Sequence, residues 1–161
     1  MSDDWYTPSE YIESARSVMG GIALDPFSSD IAQITVGAGE YLTLADDAFK
    51  SPWKSTRPGG IWMNPPFSRG NVDKAISAFL KQRGNRCGVV LVSNSTETKW
   101  FQMLLKHCEC LCLPDHRIKF ADPNGSTASG HTRGQVLFYF GSDTQRFANE
   151  FKQYGIVVKP L

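Results

Sequence analysis

Two apolar runs, Gly60-Ile61-Trp62-Met63 and Cys87-Gly-Val-Val-Leu-Val92, bracket a stretch in which Val72, Ala75, Ile76, Phe79 and Leu80 recur at helical spacing. An unbroken apolar run without polar alternation marks a strand buried on both faces. A strand, a helix of about Val72 to Arg83 and a second buried strand together demand an α/β sheet covered by helices on both sides.

The rest of the chain repeats this alternation. Thr7-Pro8-Ser9-Glu10 reads as a capping box opening a helix to about Met19, with Tyr11, Ile12, Ala15 and Val18 on one face. Ile22 to Phe27 reads as a strand stopped by Pro26, with Asp25 at its C-terminal end. Glu97 to His107 reads as a helix, Glu109 to Leu113 as a strand broken by Pro114, and Gln135 to Phe140 as a strand. Asp143 or Thr144 caps a helix to about Gln153, and Gly155 to Lys159 is a last short strand. Residues 28–58 carry no clear period and read as irregular, with Gly37 to Tyr41 a loop or short strand. Residues 121–134 form the one long polar stretch, rich in Gly, Ser and Thr.

With 161 residues, 41% apolar and 20% charged, the chain is expected to be one globular domain, residues 1–161, with a real core. Its formal net charge of +1 announces no nucleic-acid partner, so any basic surface must be local. No apolar run is long enough for a membrane helix, and the acidic N-terminus has no signal-peptide core. Cys108, Cys110 and Cys112 alternate and would share one face of a strand. With no second ligand pair at zinc spacing, they read as small apolar side chains in a reducing, cytoplasmic setting, and no metal is expected.

Asn64-Pro65-Pro66-Phe67 follows the first apolar run. Proline cannot donate to a ladder, so the strand ends there and leaves the Pro65 carbonyl free beside the Asn64 side chain. Those two oxygens suit the two hydrogens of a planar amine, and Phe67 suits its ring. An exocyclic amine is a poor nucleophile because its lone pair is delocalised. Two acceptors favour a tetrahedral nitrogen and stabilise its developing positive charge. A methyl sulfonium held in line completes a direct transfer. In α/β sheets such a site gathers beyond the C-terminal strand ends, where Asp25, Asn64 and Ser93 to Thr96 would meet.

At these residues the chain resembles the phage-type, Dam-like DNA N-6-adenine methyltransferases. The resemblance runs through Asp4-Trp5-Tyr6-Thr7-Pro8, Leu24-Asp25-Pro26, Tyr41, Ala45-Asp46-Asp47, Trp53, Ile61 to Phe67, Thr98-Lys99-Trp100-Phe101 and Arg117-Ile118-Lys119-Phe120. It implies a single-domain Rossmann-like methyltransferase fold, with a mostly parallel central sheet, helices on both faces and a C-terminal antiparallel strand. It implies S-adenosylmethionine as cofactor and adenine in DNA as acceptor, in the cytoplasm of a bacterial host if the chain is phage-encoded, within restriction-modification or a related use of methylation. Asn64, Pro65, Pro66 and Phe67 match the catalytic turn. Trp5, Thr7 and Pro8 match the segment around the methionine end of the cofactor, and Asp25, Pro26 and Phe27 the pocket for its amino group. One of Asp46 and Asp47 would hold its adenosine.

Two departures from the wider methyltransferase pattern stand out. Pro-Phe-Ser-Ser-Asp30, not Gly-x-Gly, follows Asp25. No length remains for a separate recognition domain, so residues 121–134 become the candidate recognition loop. Arg117, Lys119, His131 and Arg133 would contact phosphates or base edges, and a duplex would have to flip its adenine out. The turn alone leaves RNA adenine and a protein glutamine amide open as acceptors, and a catalytically silent DNA-binding protein open as a third reading.

Overall fold

In the computed structural model, which describes residues 5–68, 70–127 and 133–161, one seven-stranded sheet runs through the molecule. In chain order the elements are α1 (Ser9–Met19), β1 (Ile22–Asp25), α2 (Asp30–Val36), β2 (Glu40–Tyr41), a 3₁₀ turn (Leu44–Asp46), β3 (Gly60–Met63), α3 (Asn71–Gln82), β4 (Gly88–Ser93), α4 (Lys99–His107), β5 (Cys110–Pro114), β6 (Gln135–Phe140), α5 (Thr144–Phe151) and β7 (Gly155–Val158). The strand order is β2-β1-β3-β4-β6-β5-β7. β1 to β4 are mutually parallel, β6 lies antiparallel to both β4 and β5, and β7 antiparallel to β5. The expected α/β architecture is therefore present, with two reversed strands, β6 and β7.

Strand alternation divides the core into two layers. Trp62, Val89, Leu91, Leu137 and Tyr139 pack with Tyr11, Ile12, Ala15 and Val18 of α1 and with Phe147 and Phe151 of α5. Ile61, Met63, Val90, Val92, Phe138 and Phe140 pack with Ala75, Ile76 and Phe79 of α3 and with Phe101 and Leu104 of α4. Cys110 and Cys112 join the α1 layer and are fully buried, and burial pushes their thiols up to about 11 and about 12. They act as small apolar side chains. Cys108 does not share their face: it caps α4 ahead of the strand and packs on the α3–α4 layer.

Two other expectations change. Residues 28–58 contain α2, opened by Ser29 accepting from the Ala32 amide at 3.1 Å and closed by left-handed Gly37. At the start of α1 no capping box forms. Pro8 is the residue before the first turn and offers no side-chain cap, and Thr7 turns inward, 8% exposed. Thr7 is spent elsewhere, on Asn64.

One irregularity positions the functional edge. Ile22 pairs with Gly60 and Leu24 with Ile61, so β1 carries an extra residue against β3. Ile22 therefore faces the α1 layer and Leu24 the α3–α4 layer, although they are two residues apart. A bulge of this kind re-aims the residues that follow it. Asp25 is returned to the α1 side.

Candidate functional site

The chain leaves β3 at Asn64, one step beyond Met63 and on the α1 side with Trp62. The Asn64 Nδ2 donates to the Thr7 hydroxyl oxygen at 3.4 Å and to the Trp5 carbonyl at 3.5 Å. A carbonyl can only accept, so these partners fix which end of the carboxamide is nitrogen. The Asn64 Oδ1 is left buried without any partner. Such an acceptor costs roughly 1–3 kcal/mol unless something arrives to donate to it.

The segment supplying those partners is itself held by the stretch that follows β5. Tyr6 and Ala121 exchange backbone hydrogen bonds of 2.9 and 3.0 Å. Ala121 also bridges to Thr127 across a turn in which the Asp122 carboxylate accepts from the Asn124 and Ser126 amides. The polar stretch thus begins as a small antiparallel turn tied to Trp5–Thr7.

Asp25 ends β1 at 3% exposure. Its carboxylate accepts from Gln33 Nε2 at 3.1 Å and from the Phe27 amide at 3.4 Å. Burial pushes its carboxyl up to about 7, against the downward pull of hydrogen bonds from Ser28, Phe27 and Gln33. Gln33 is locked in turn: it donates to the Ser28 hydroxyl at 2.7 Å and accepts from the Ala38 amide at 2.8 Å.

Trp5, Thr7, Asp25, Phe27, Asn64 and Pro65, all anticipated from the sequence, line one cleft of about 90 Å³. Small-molecule pockets run to roughly 300–1,000 Å³, so this cleft has room for only one end of a ligand of that size. Ser28, Ser29 and Thr35 complete its wall, and the fully buried Trp62 its floor. Ser28, Ser29 and Thr35 were missed because residues 28–58 were read as irregular; the Ser29-Asp30 start and Gly37 stop of α2 were the available signal.

The other anticipated residues stand outside the cleft. Pro8 precedes α1, and Pro26, next in sequence to Asp25, is buried. Pro66 is half-buried, and Phe67 packs toward the α3–α4 layer. Asp46 is fully exposed and accepts from the Thr43 amide at 2.7 Å and the Thr43 hydroxyl at 2.9 Å, which hold its carboxyl below the usual range. Asp47 adopts a left-handed φ of 51°, accepts from the Phe49 amide and pairs with Lys50 at 3.2 Å. Phe27 extends the cleft wall into an aromatic cluster with Phe49 and Trp53, at ring distances of 5.3 and 5.7 Å.

Arg117, Lys119 and Arg133 are all exposed, while Ile118 and Phe120 between them are buried. A Cβ added at Gly134 would meet Asn94 Nδ2 at 2.7 Å and Arg117 Nη1 at 3.0 Å, so Arg117 lies over the ends of β4 and β6, next to the Asn64 strand. His131 lies outside the described residues. No helix among the described residues is long and apolar enough to cross a membrane.

The sheet edge therefore gathers a buried carboxylate, an oriented carboxamide and a basic rim. In a comparison with curated proteins, none matches this chain. The family model described as DNA N-6-adenine-methyltransferase (Dam) matches residues 1–156, nearly the whole chain, and the protein belongs to that family.

Proposed function

We propose that the protein transfers a methyl group from S-adenosylmethionine to the exocyclic amine of adenine in DNA. The observation that carries this reading is the buried, partnerless Oδ1 of Asn64, beside the Pro65 backbone at the end of a central strand. That oxygen and the Pro65 carbonyl accept the two amine hydrogens. The positive charge that grows on nitrogen during transfer then meets fixed acceptors. Thr7 and the Trp5 carbonyl hold the Asn64 carboxamide so that it presents oxygen, not nitrogen. An amide is the right group, since the amine need lose no proton before it attacks.

The residues of the cleft fit the methionine end of the cofactor. Asp25 is a buried carboxylate with room beside it, and a cationic amino group would draw it into its charged form. The cofactor, when bound, supplies the electrophilic methyl. The cleft is too small for the whole of it, and the adenosine would extend out of the cleft toward Phe27. Arg117, Lys119 and Arg133 line the rim that a DNA backbone would follow, and the adenine must leave its stack to reach Asn64.

The test is methylation of genomic DNA with labelled cofactor, followed by digestion to nucleosides. Label in N6-methyladenine is the expected result, and Asn64→Ala should abolish it while the protein stays folded. Label appearing only in RNA or in protein, or undiminished transfer by Asn64→Ala, would overturn the reading.

A further inference from the structure

Two buried side-chain polar atoms among the described residues lack a partner: Asn64 Oδ1 and Gln135 Oε1. The first has a role in the transfer. The second has none, although Gln135 is only 9% exposed and an unpaired buried acceptor is costly. Its place in the sheet gives it one. Gln135 is the first residue of β6 and pairs directly with Ser93, the last of β4. Leu137 and Tyr139 face the α1 layer, so Gln135 faces it too. Asn64 emerges on the same layer one strand farther along, since β3 neighbours β4. Both orphan acceptors therefore lie on one face of one sheet edge, on either side of β4. The Ser93 hydroxyl is occupied with that of Ser95 at 3.0 Å.

Strand spacing and register put the Asn64 and Gln135 backbones roughly 12 Å apart. Side chains extended toward each other from those two positions would leave room for one primary amine with an acceptor on each hydrogen. We propose that Gln135 is a base-contacting residue that reads the target adenine from the side opposite Asn64, an inference that rests on the adenine-methyltransferase reading above. Asn64 takes one amine hydrogen. Gln135 Oε1 shares the other with the Pro65 carbonyl, as three-centre bonds commonly do. Its Nε2 donates to the ring nitrogen on the same edge. A carboxamide and an adenine edge match in this bidentate way because each sets a donor beside an acceptor. Thymine and guanine present a carbonyl where adenine presents the amine, and leave Oε1 unpaired.

A residue kept for the substrate and not for the fold has an unusual mutational signature. Gln135→Met retains the length of the side chain and removes the orphan, so its Tm should equal or exceed that of the wild type. Its affinity for S-adenosylmethionine should be unchanged, while kcat/KM for N6-methyladenine formation in unmethylated genomic DNA should fall at least tenfold. Gln135→Glu keeps the shape and the acceptor but loses the donor. It should also lose at least tenfold, and it decides the matter if the Met variant does not fold. The proposal is overturned if either folded variant methylates within twofold of wild type, or if activity falls only together with Tm and cofactor affinity. The wild-type protein separates the two readings: no N6-methyladenine from it refutes the adenine reaction itself, whereas an active wild type with an equally active Gln135→Met refutes only the contact.

Discussion

Asn64 Nδ2 lies 3.4 Å from the Thr7 hydroxyl oxygen, joining the end of β3 to the segment that leads into α1. The contact couples the two halves of the site, because Thr7 also lines the cleft with Asp25. If its purpose is to hold the Asn64 carboxamide in one orientation, Thr7→Val should lower kcat by up to about tenfold, the worth of one hydrogen bond, with little change in KM for DNA. Thr7→Ser keeps the hydroxyl and should restore most of the rate. Steady-state kinetics of the two variants tests this; a Val variant with wild-type kcat would leave the contact without a role.

The Asp25 carboxyl gives the free protein a distinctive pH dependence. Its value is about 7 in the fold and 3.8 ordinarily. The folded state thus holds the proton more tightly than the unfolded chain. The contribution to stability is complete below about pH 4, declines as pH rises, and is gone above about 7, with a ceiling of about 4 kcal/mol before local relaxation. Asp25→Asn should abolish this slope. Urea midpoints of both proteins between pH 4 and 8 give the answer as a difference, in which the other carboxylates cancel.

Much of the fold was legible because hydrophobic pattern and packing agree. The run Gln135 to Phe140 is buried at every position and was read to the residue. Asp25 and Asn64 stand out in the sequence because a proline follows each at a strand end. The failures have physical causes. α2 is seven residues long and buries only Val36, so it has no apolar stripe to reveal it. Thr7-Pro8-Ser9-Glu10 has the composition of a capping box, but a hydroxyl bonds whichever partner packing brings closest, and that partner is Asn64. The bulge in β1 is invisible in Ile22-Ala-Leu-Asp25, since all four residues are buried and no alternation exists to be broken. Gln135 offered no signal either: a single polar residue at the head of an apolar strand looks like its boundary.

The basic rim should appear in the salt dependence of DNA binding. Arg117 and Lys119 are exposed on either side of buried Ile118, which holds both on the surface by packing. If each neutralises one phosphate, the double variant Arg117→Ala/Lys119→Ala should flatten the plot of log affinity against log salt by about 2. Affinity for S-adenosylmethionine should not change. Fluorescence anisotropy across a salt series checks it, and an unaltered slope would remove this strip from the DNA path.

Register between β1 and β3 rests on a backbone crossing that tolerates no side chain. Gly60 donates to the Gly21 carbonyl at 3.1 Å, and a Cβ added at the preceding Gly59 would lie 2.2 Å from that same oxygen. Gly59 also has a φ of +109°, which L residues rarely adopt. Gly59→Ala must therefore push the two backbones apart, at a cost of about 1–3 kcal/mol for the dihedral alone and more for the clash. The strain falls at the start of the two strands whose far ends carry Asp25 and Asn64. Urea unfolding should show the loss of stability, and methyl transfer should fall even at temperatures where the variant stays folded, because the carboxylate and carboxamide no longer meet the same cleft. Gly70, where an added Cβ meets nothing within 4 Å, is the control: Gly70→Ala should pay only for its φ of +84°.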